Sequence, residues 1–150
     1  MYPEQIILIG TGIVGALGTF ILNTKLKQGP VRASALLALL VGGFFYLFPD
    51  TLPLQLSQNI PVIFIGGTFI GMVSSRVVSN YLLIALSGLI FSFFYLNTSK
   101  FFEGYGGALG TAACISLLAT LSIPFLNKKK KVTNGILVLR KQLFRKLKKR

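Results

Sequence analysis

The sequence predicts an all-α fold: a polytopic membrane bundle of about five transmembrane helices, N-out and C-in, with a basic amphipathic C-terminal helix. Three observations lead there. The 150-residue chain is 53% hydrophobic, with a mean hydropathy of +0.72. Only 13% of its residues are charged, where a soluble domain carries about 25%. The charge is also one-sided, with sixteen Lys or Arg against three acids, Glu4, Asp50 and Glu103, for a net +13. High apolar content with few, mainly basic charges is the composition of a membrane protein with cytoplasmic lysines. A soluble nucleic-acid-binding domain would be basic without this hydropathy, so nucleic acid is not expected as a partner.

Taken in order, the apolar stretches cover 5–22, 33–48, 60–75, 81–96 and 106–126. A hydrocarbon core of about 30 Å asks for roughly 17–25 helical residues. The first and fifth stretches meet that, the second and fourth approach it, and the third is the weakest. The leader Met1-Tyr2-Pro3-Glu4-Gln5 has no positive charge, and the basic residues follow the apolar run. The first stretch is therefore expected to stay as a reverse anchor and not to be cleaved as a secretory signal. Residues 1–127 form the expected bundle and 128–150 a cytoplasmic juxtamembrane tail.

Orientation follows from the positions of the cations. With the N-terminus outside, Lys25, Lys27, Arg32, Arg76 and everything from Lys128 onward lie inside. Glu4, Asp50 and Glu103 then lie outside, with Lys100 the single basic exception. Dropping the third stretch would put the 23–33 loop and the tail on opposite sides, so five spans sort the charges best. The plasma (inner) membrane is the expected location.

Helices in lipid gain nothing from burying apolar surface against one another, so small residues at close contacts decide their packing. Gly10, Gly12, Gly15 and Gly18 punctuate the first stretch, and Gly67 and Gly71 form Gly-x-x-x-Gly in the third, beside Gly66. Gly104, Gly106, Gly107 and Gly110 lead into the fifth. The string Gly-Ala-Leu-Gly-Thr occurs at 15–19 and again at 107–111. Two readings suit this pattern: small faces that let helices 1, 3 and 5 approach, or a backbone-lined route between them. Gly15, Gly18, Thr19, Gly66, Gly67, Thr68, Gly71, Gly107, Gly110 and Thr111 are the candidates under either. In the third stretch, Pro61 is expected at the start, with Gly66-Gly67 breaking the middle as in a discontinuous or simply short helix.

The inventory closes most routes to catalysis. There is no His and no Trp, and Cys114 is the only cysteine. A zinc site needs three or four His, Cys or acidic ligands, and Ser-His or Cys-His nucleophiles need a histidine. No metal, cofactor or enzymatic activity is expected. No stretch carries a charge near its middle, whereas proton relays and most cation-coupled carriers keep acids or His there. The available polar groups are hydroxyls, among them Thr11, Ser74, Ser87, Ser92, Ser116, Thr120 and Ser122.

Twelve of the eighteen aromatics fall on the outer side of this topology, including Phe44, Phe45, Tyr46 and Phe48 and the 91–95 cluster. They make an interfacial belt or a surface for a partner. At the other end, eleven of the sixteen basic residues lie beyond position 127. Ile136, Leu139, Leu143 and Leu147 recur at helical spacing among Arg140, Lys141, Arg145, Lys146, Lys148 and Lys149. This is a basic amphipathic helix suited to anionic lipid head groups, each such cation contributing on the order of 1 kcal/mol.

The run Gly66-Gly67-Thr68-Phe69-Ile70-Gly71 resembles a glycine-rich stretch of small fluoride channels. Pro30-Val31-Arg32-Ala33 resembles the small subunit of threonine/serine exporters. The other motifs of both families are absent here, and no family is assigned. Two functions fit the whole. One is a small transport-type protein or subunit, oligomeric, for an uncharged or anionic solute. The other is a non-catalytic membrane subunit or assembly factor that binds partner proteins.

Overall fold

The computed structural model describes residues 3–98 and 106–126, and they are helical throughout apart from the connections. The elements are α1 (Pro3–Lys25), α2 (Pro30–Leu47), a short 3-10 turn (Pro49–Thr51), α3 (Leu54–Gly71), α4 (Tyr81–Thr98) and α5 (Gly106–Leu126). Three helices are long and apolar enough to cross a membrane: Glu4–Lys25, Pro30–Leu47 and Tyr81–Thr98, with mean hydropathies of 2.0, 1.6 and 1.6. The all-helical class and the membrane character thus hold. The C-terminal amphipathic helix lies outside the described residues.

Local chemistry accounts for the helix ends. Gly29 takes φ 86°, a conformation that costs a residue with a Cβ, and Pro30 then supplies the first helical residue of α2. Asn80 starts α4 by accepting the Leu82 N–H on its Oδ1 at 2.9 Å. At α3 the N–H groups of Leu56 and Ser57 reach back to the Pro53 carbonyl at 2.9 and 3.0 Å.

α3 departs from expectation in three ways. It begins at Leu54, so Pro61 lies inside the helix and does not open it. The polar residues Gln55, Ser57, Gln58 and Asn59 lie in its first turns, where Ser57 and Asn59 donate to the carbonyls of Pro49 and Gln55, at 3.1 and 2.7 Å. The helix is also unbroken through Gly66-Gly67, with neither glycine at positive φ. Finally it stops at Gly71, leaving 72–75 in the connection to α4. Its apolar part, 60–71, is about 18 Å long at 1.5 Å per residue, short of a ~30 Å hydrocarbon core. Half of α3 is nonetheless buried, because the other helices surround it.

α1 is the hub. It packs against α2, α3 and α4, whereas α5 packs against α4 and α3 only and makes no contact with α1 among the described residues. α1 and α3 run parallel, since Gly12 lies beside Gly67 and Thr19 beside Gly71. α4 runs antiparallel to both: Phe20 of α1 meets Tyr81 edge-on at 5.5 Å, and Tyr95 of α4 donates to Asn59 Oδ1 of α3 at 3.1 Å. α2 is peripheral, with Ala33 and Ser34 its buried residues and Leu39, Tyr46 and Leu47 exposed.

The polar tie that holds α2 to α3 is Ser34 Oγ with Thr68 Oγ1 at 2.8 Å. Thr68 gives its own proton to the Ile65 carbonyl at 2.6 Å, so Ser34 is the donor of the pair. Interhelical bonds of this kind average about 0.6 kcal/mol inside membranes. Ser34→Ala is therefore expected to lower stability by about that amount, read as a small fall in melting temperature in mild detergent, with no change in helix content by circular dichroism.

Candidate functional site

The sequence candidates divide into two groups. Gly15, Gly67 and Gly71 sit where the backbones of α1 and α3 touch. A Cβ on Gly15 would stand 2.7 Å from the Phe64 carbonyl oxygen, and one on Gly67 would stand 2.6 Å from that of Gly12. At Gly71 it would strike the Ala16 carbonyl oxygen, with Thr19 Cβ at 2.6 Å and the Phe20 nitrogen at 2.9 Å. Real Cβ atoms do not come this near to backbone, so only glycine permits the interface. Gly66 faces the other way and forms the notch that takes the Phe91 ring of α4. Gly18 is looser, its nearest neighbour being Leu37 of α2 at 3.4 Å.

Gly107, Gly110 and Thr111 form the second group, and the structure does not bring them to the first. A Cβ on Gly107 or Gly110 would meet nothing within 4 Å. Thr111 is exposed and donates to the Ala108 carbonyl of its own helix at 2.9 Å. The expected association of α1, α3 and α5 is thus corrected: the third helix against α1 is α4. The reason lies in α5 itself. Its buried face is Ala108, Ala112, Ser116 and Thr120, small residues at four-residue spacing, and this face packs inward while the glycines turn out.

On α4 the sequence gives no role to Gly88 and marks Ser92 only as an available hydroxyl. Gly88 approaches the Gly12 carbonyl, with a notional Cβ 2.9 Å from it and 3.0 Å from Ile13 Cα. Ser92, one turn on, covers Gly12 with its hydroxyl. Gly88 and Ser92 stand four apart, the same small-x-x-x-small signal read at Gly67 and Gly71. A search for small residues in general, not glycine alone, finds them and the buried face of α5.

The buried polar side chains among the described residues are all hydroxyls: Thr19, Ser34, Thr68, Ser87, Ser92, Ser116 and Thr120. Four of them bond back to their own helices, Ser87 to Leu83, Ser92 to Gly88, Ser116 to Ala112 and Thr120 to Ser116, at 2.8–3.0 Å. These bonds satisfy the hydroxyls without specifying a ligand. Thr19 is different. It is fully buried, and its Oγ1 has no hydrogen-bond partner. A buried hydroxyl left unpaired costs on the order of 1–3 kcal/mol. It lies over Gly71, one turn beyond Thr68 on α3, so hydroxyls from α1, α2 and α3 gather at the C-terminal end of α3.

Among the described residues no group of His, Cys, Asp or Glu could hold a metal ion. Cys114 is exposed on α5. The tail residues Arg140, Lys141, Arg145, Lys146, Lys148 and Lys149 fall outside the described residues.

Gly67→Ala and Gly71→Ala are expected to lower the melting temperature in detergent clearly, each placing a methyl group against backbone that has no room to yield. Gly107→Ala and Gly110→Ala should be neutral or raise it, since alanine is the better helix former by about 1 kcal/mol at an open position. Equal losses at both pairs would mean that α5 packs through its glycine face.

Comparison with protein-family models, curated proteins and solved structures yields no match.

Proposed function

We propose that the chain is a small multi-pass membrane protein of transport type, a permease- or channel-like protein or subunit for a small uncharged or anionic solute. In this reading it has five spans, with the N-terminus outside and the C-terminus in the cytoplasm of a plasma (inner) membrane. The observation that carries the reading is the polar character of the bundle interior. Every buried polar side chain among the described residues is a hydroxyl, none is charged, and the Thr19 hydroxyl is uncommitted. Carriers of protons and metal cations depend on buried acids or histidines, so this interior favours a solute that needs neither. The tight α1–α3 contact argues against a static pore there and for passage by helix movement.

The five-span reading is supported by the charge sort, with Lys25, Lys27, Arg32 and Arg76 exposed at the C-terminal ends of α1 and α3 and the starts of their successors. The basic tail would then lie on the anionic inner leaflet. Labelling tests this topology. In a Cys114→Ala background, Lys130→Cys should react with an impermeant maleimide only after the cells are permeabilised. Reaction in intact cells would reverse the orientation.

A second reading, a non-catalytic subunit or assembly factor of a membrane complex, is favoured by one observation. The outward faces of α2 and α5 carry Gly42, Gly43, Gly107 and Gly110, where an added side chain meets nothing. A homo-oligomer would use the same faces. Purification in mild detergent with mass spectrometry of the intact assembly separates the readings. A transport-type protein should purify alone or as a homo-oligomer. Stoichiometric recovery of a different membrane protein would favour the subunit instead.

A further inference from the structure

We infer that the solute is uncharged and that it is held through the hydroxyl of Thr19; the inference rests on the transport reading and narrows it. Thr68 gives its hydroxyl proton to the Ile65 carbonyl at 2.6 Å, and Ser34 gives its proton to Thr68 at 2.8 Å. Ser87, Ser92, Ser116 and Thr120 each give theirs to a carbonyl of their own helix. Among the buried hydroxyls of the described residues, Thr19 alone has both its proton and its lone pairs free.

That one group sets the class of ligand. An anion leaving water for this interior needs several donors or a fixed positive charge beside it. One free O–H does not supply that, and Lys25, Lys27, Arg32 and Arg76 are all exposed at the bundle end. A bare cation needs a cage of several oxygens, and Thr19 offers one. A small neutral solute with a donor and an acceptor, a hydroxyl or amide compound, asks only for what Thr19 offers.

The surroundings of Thr19 leave no space for a solute while α3 is docked against α1. Gly71 lies directly over it, and a Cβ there would come within 2.6 Å of the Thr19 Cβ. α3 ends at Gly71, and 72–80 connect it to α4 without helix. A solute reaches Thr19 when this last turn of α3 separates from α1, a movement that breaks none of the intrahelical hydroxyl bonds. Packing alone would be served better by valine, which has the same shape and buries no unpaired hydroxyl. The Thr19 hydroxyl therefore acts on something other than the protein.

The test uses the purified full-length chain in liposomes, with solute entry followed by stopped-flow light scattering. Glycerol and urea are the neutral probes, and formate and chloride the anionic ones. Wild-type protein is expected to speed glycerol or urea entry above protein-free liposomes. Thr19→Val should cut that gain about tenfold, the loss of one hydrogen bond, while Thr19→Ser retains most of it. The melting temperature of Thr19→Val should equal or exceed that of the wild type, which separates loss of binding from loss of fold. Unchanged entry in Thr19→Val would overturn the role of Thr19 and leave transport standing. Entry of formate or chloride with neither neutral probe would overturn the uncharged class, again with transport standing. No entry of any probe above background would remove the transport reading itself and the inference with it.

Discussion

Three helices meet at the carbonyl of Gly12. Gly67 of α3 approaches it from one side and Gly88 of α4 from another, each so closely that a Cβ would stand within 2.9 Å of the oxygen. In water such an approach would be one packing solution among many. In lipid the surrounding acyl chains are as apolar as leucine, so bulky side chains bring no net gain from contact. What remains is dispersion between backbones and weak Cα–H···O contacts, and both need Cα atoms to come near the facing chain. Small residues at four-residue spacing are the means, and α1 has them on the faces it turns to α3 and α4.

The rest of the arrangement follows from that junction. α3 has too short an apolar stretch to span the hydrocarbon alone, yet it holds its place because α1 and α4 enclose its glycine face and its Phe91 notch. α2 and α5 attach at the outside, α2 through the Ser34–Thr68 pair and the loose Gly18–Leu37 contact. α5 reaches the bundle through α4 and α3 with alanines, Ser116 and Thr120. Their outward faces are consequently large and apolar, as the exposed Leu39, Leu40, Phe44 and Leu118 show. Such exposure suits a bilayer, where it would be a liability in water.

Much of this was legible in the sequence, and the misses have physical causes. The five apolar stretches correspond to the five helices, and the start of α4 agrees to the residue because Asn80 is a strong cap. The start of α3 differs from the expectation because Pro61 reads as a boundary and the turns before it are polar, whereas the structure carries the proline inside the helix. Gly66-Gly67 looked like a break because glycine lowers helix propensity, yet in a buried helix the close neighbours hold it regular. The glycines of α5 were misassigned because identical strings, Gly-Ala-Leu-Gly-Thr, serve different faces in α1 and α5. Residue type alone does not say which side of a helix turns inward. Thr19 was a candidate from the outset, but its unpaired hydroxyl depends on what α3 places over it, which no local pattern reveals.

The distribution of hydrogen bonds says which helix contacts can part without stranding a polar group. Ser87, Ser92, Ser116 and Thr120 keep their partners however the helices shift, since those partners belong to the same helix. Ser34–Thr68 and Tyr95–Asn59 are interhelical side-chain bonds among the described residues, and both end on α3, one near each terminus. α3 is thus tied at its ends to α2 and α4, not to α1. Against α1 it has glycine faces and, among the described residues, no side-chain hydrogen bond between them, so separation there forfeits dispersion but strands no polar group. Polar groups set the steep costs in hydrocarbon, so the α1–α3 seam, extensive as it is, can part without stranding one, and the free hydroxyl of Thr19 lies on it.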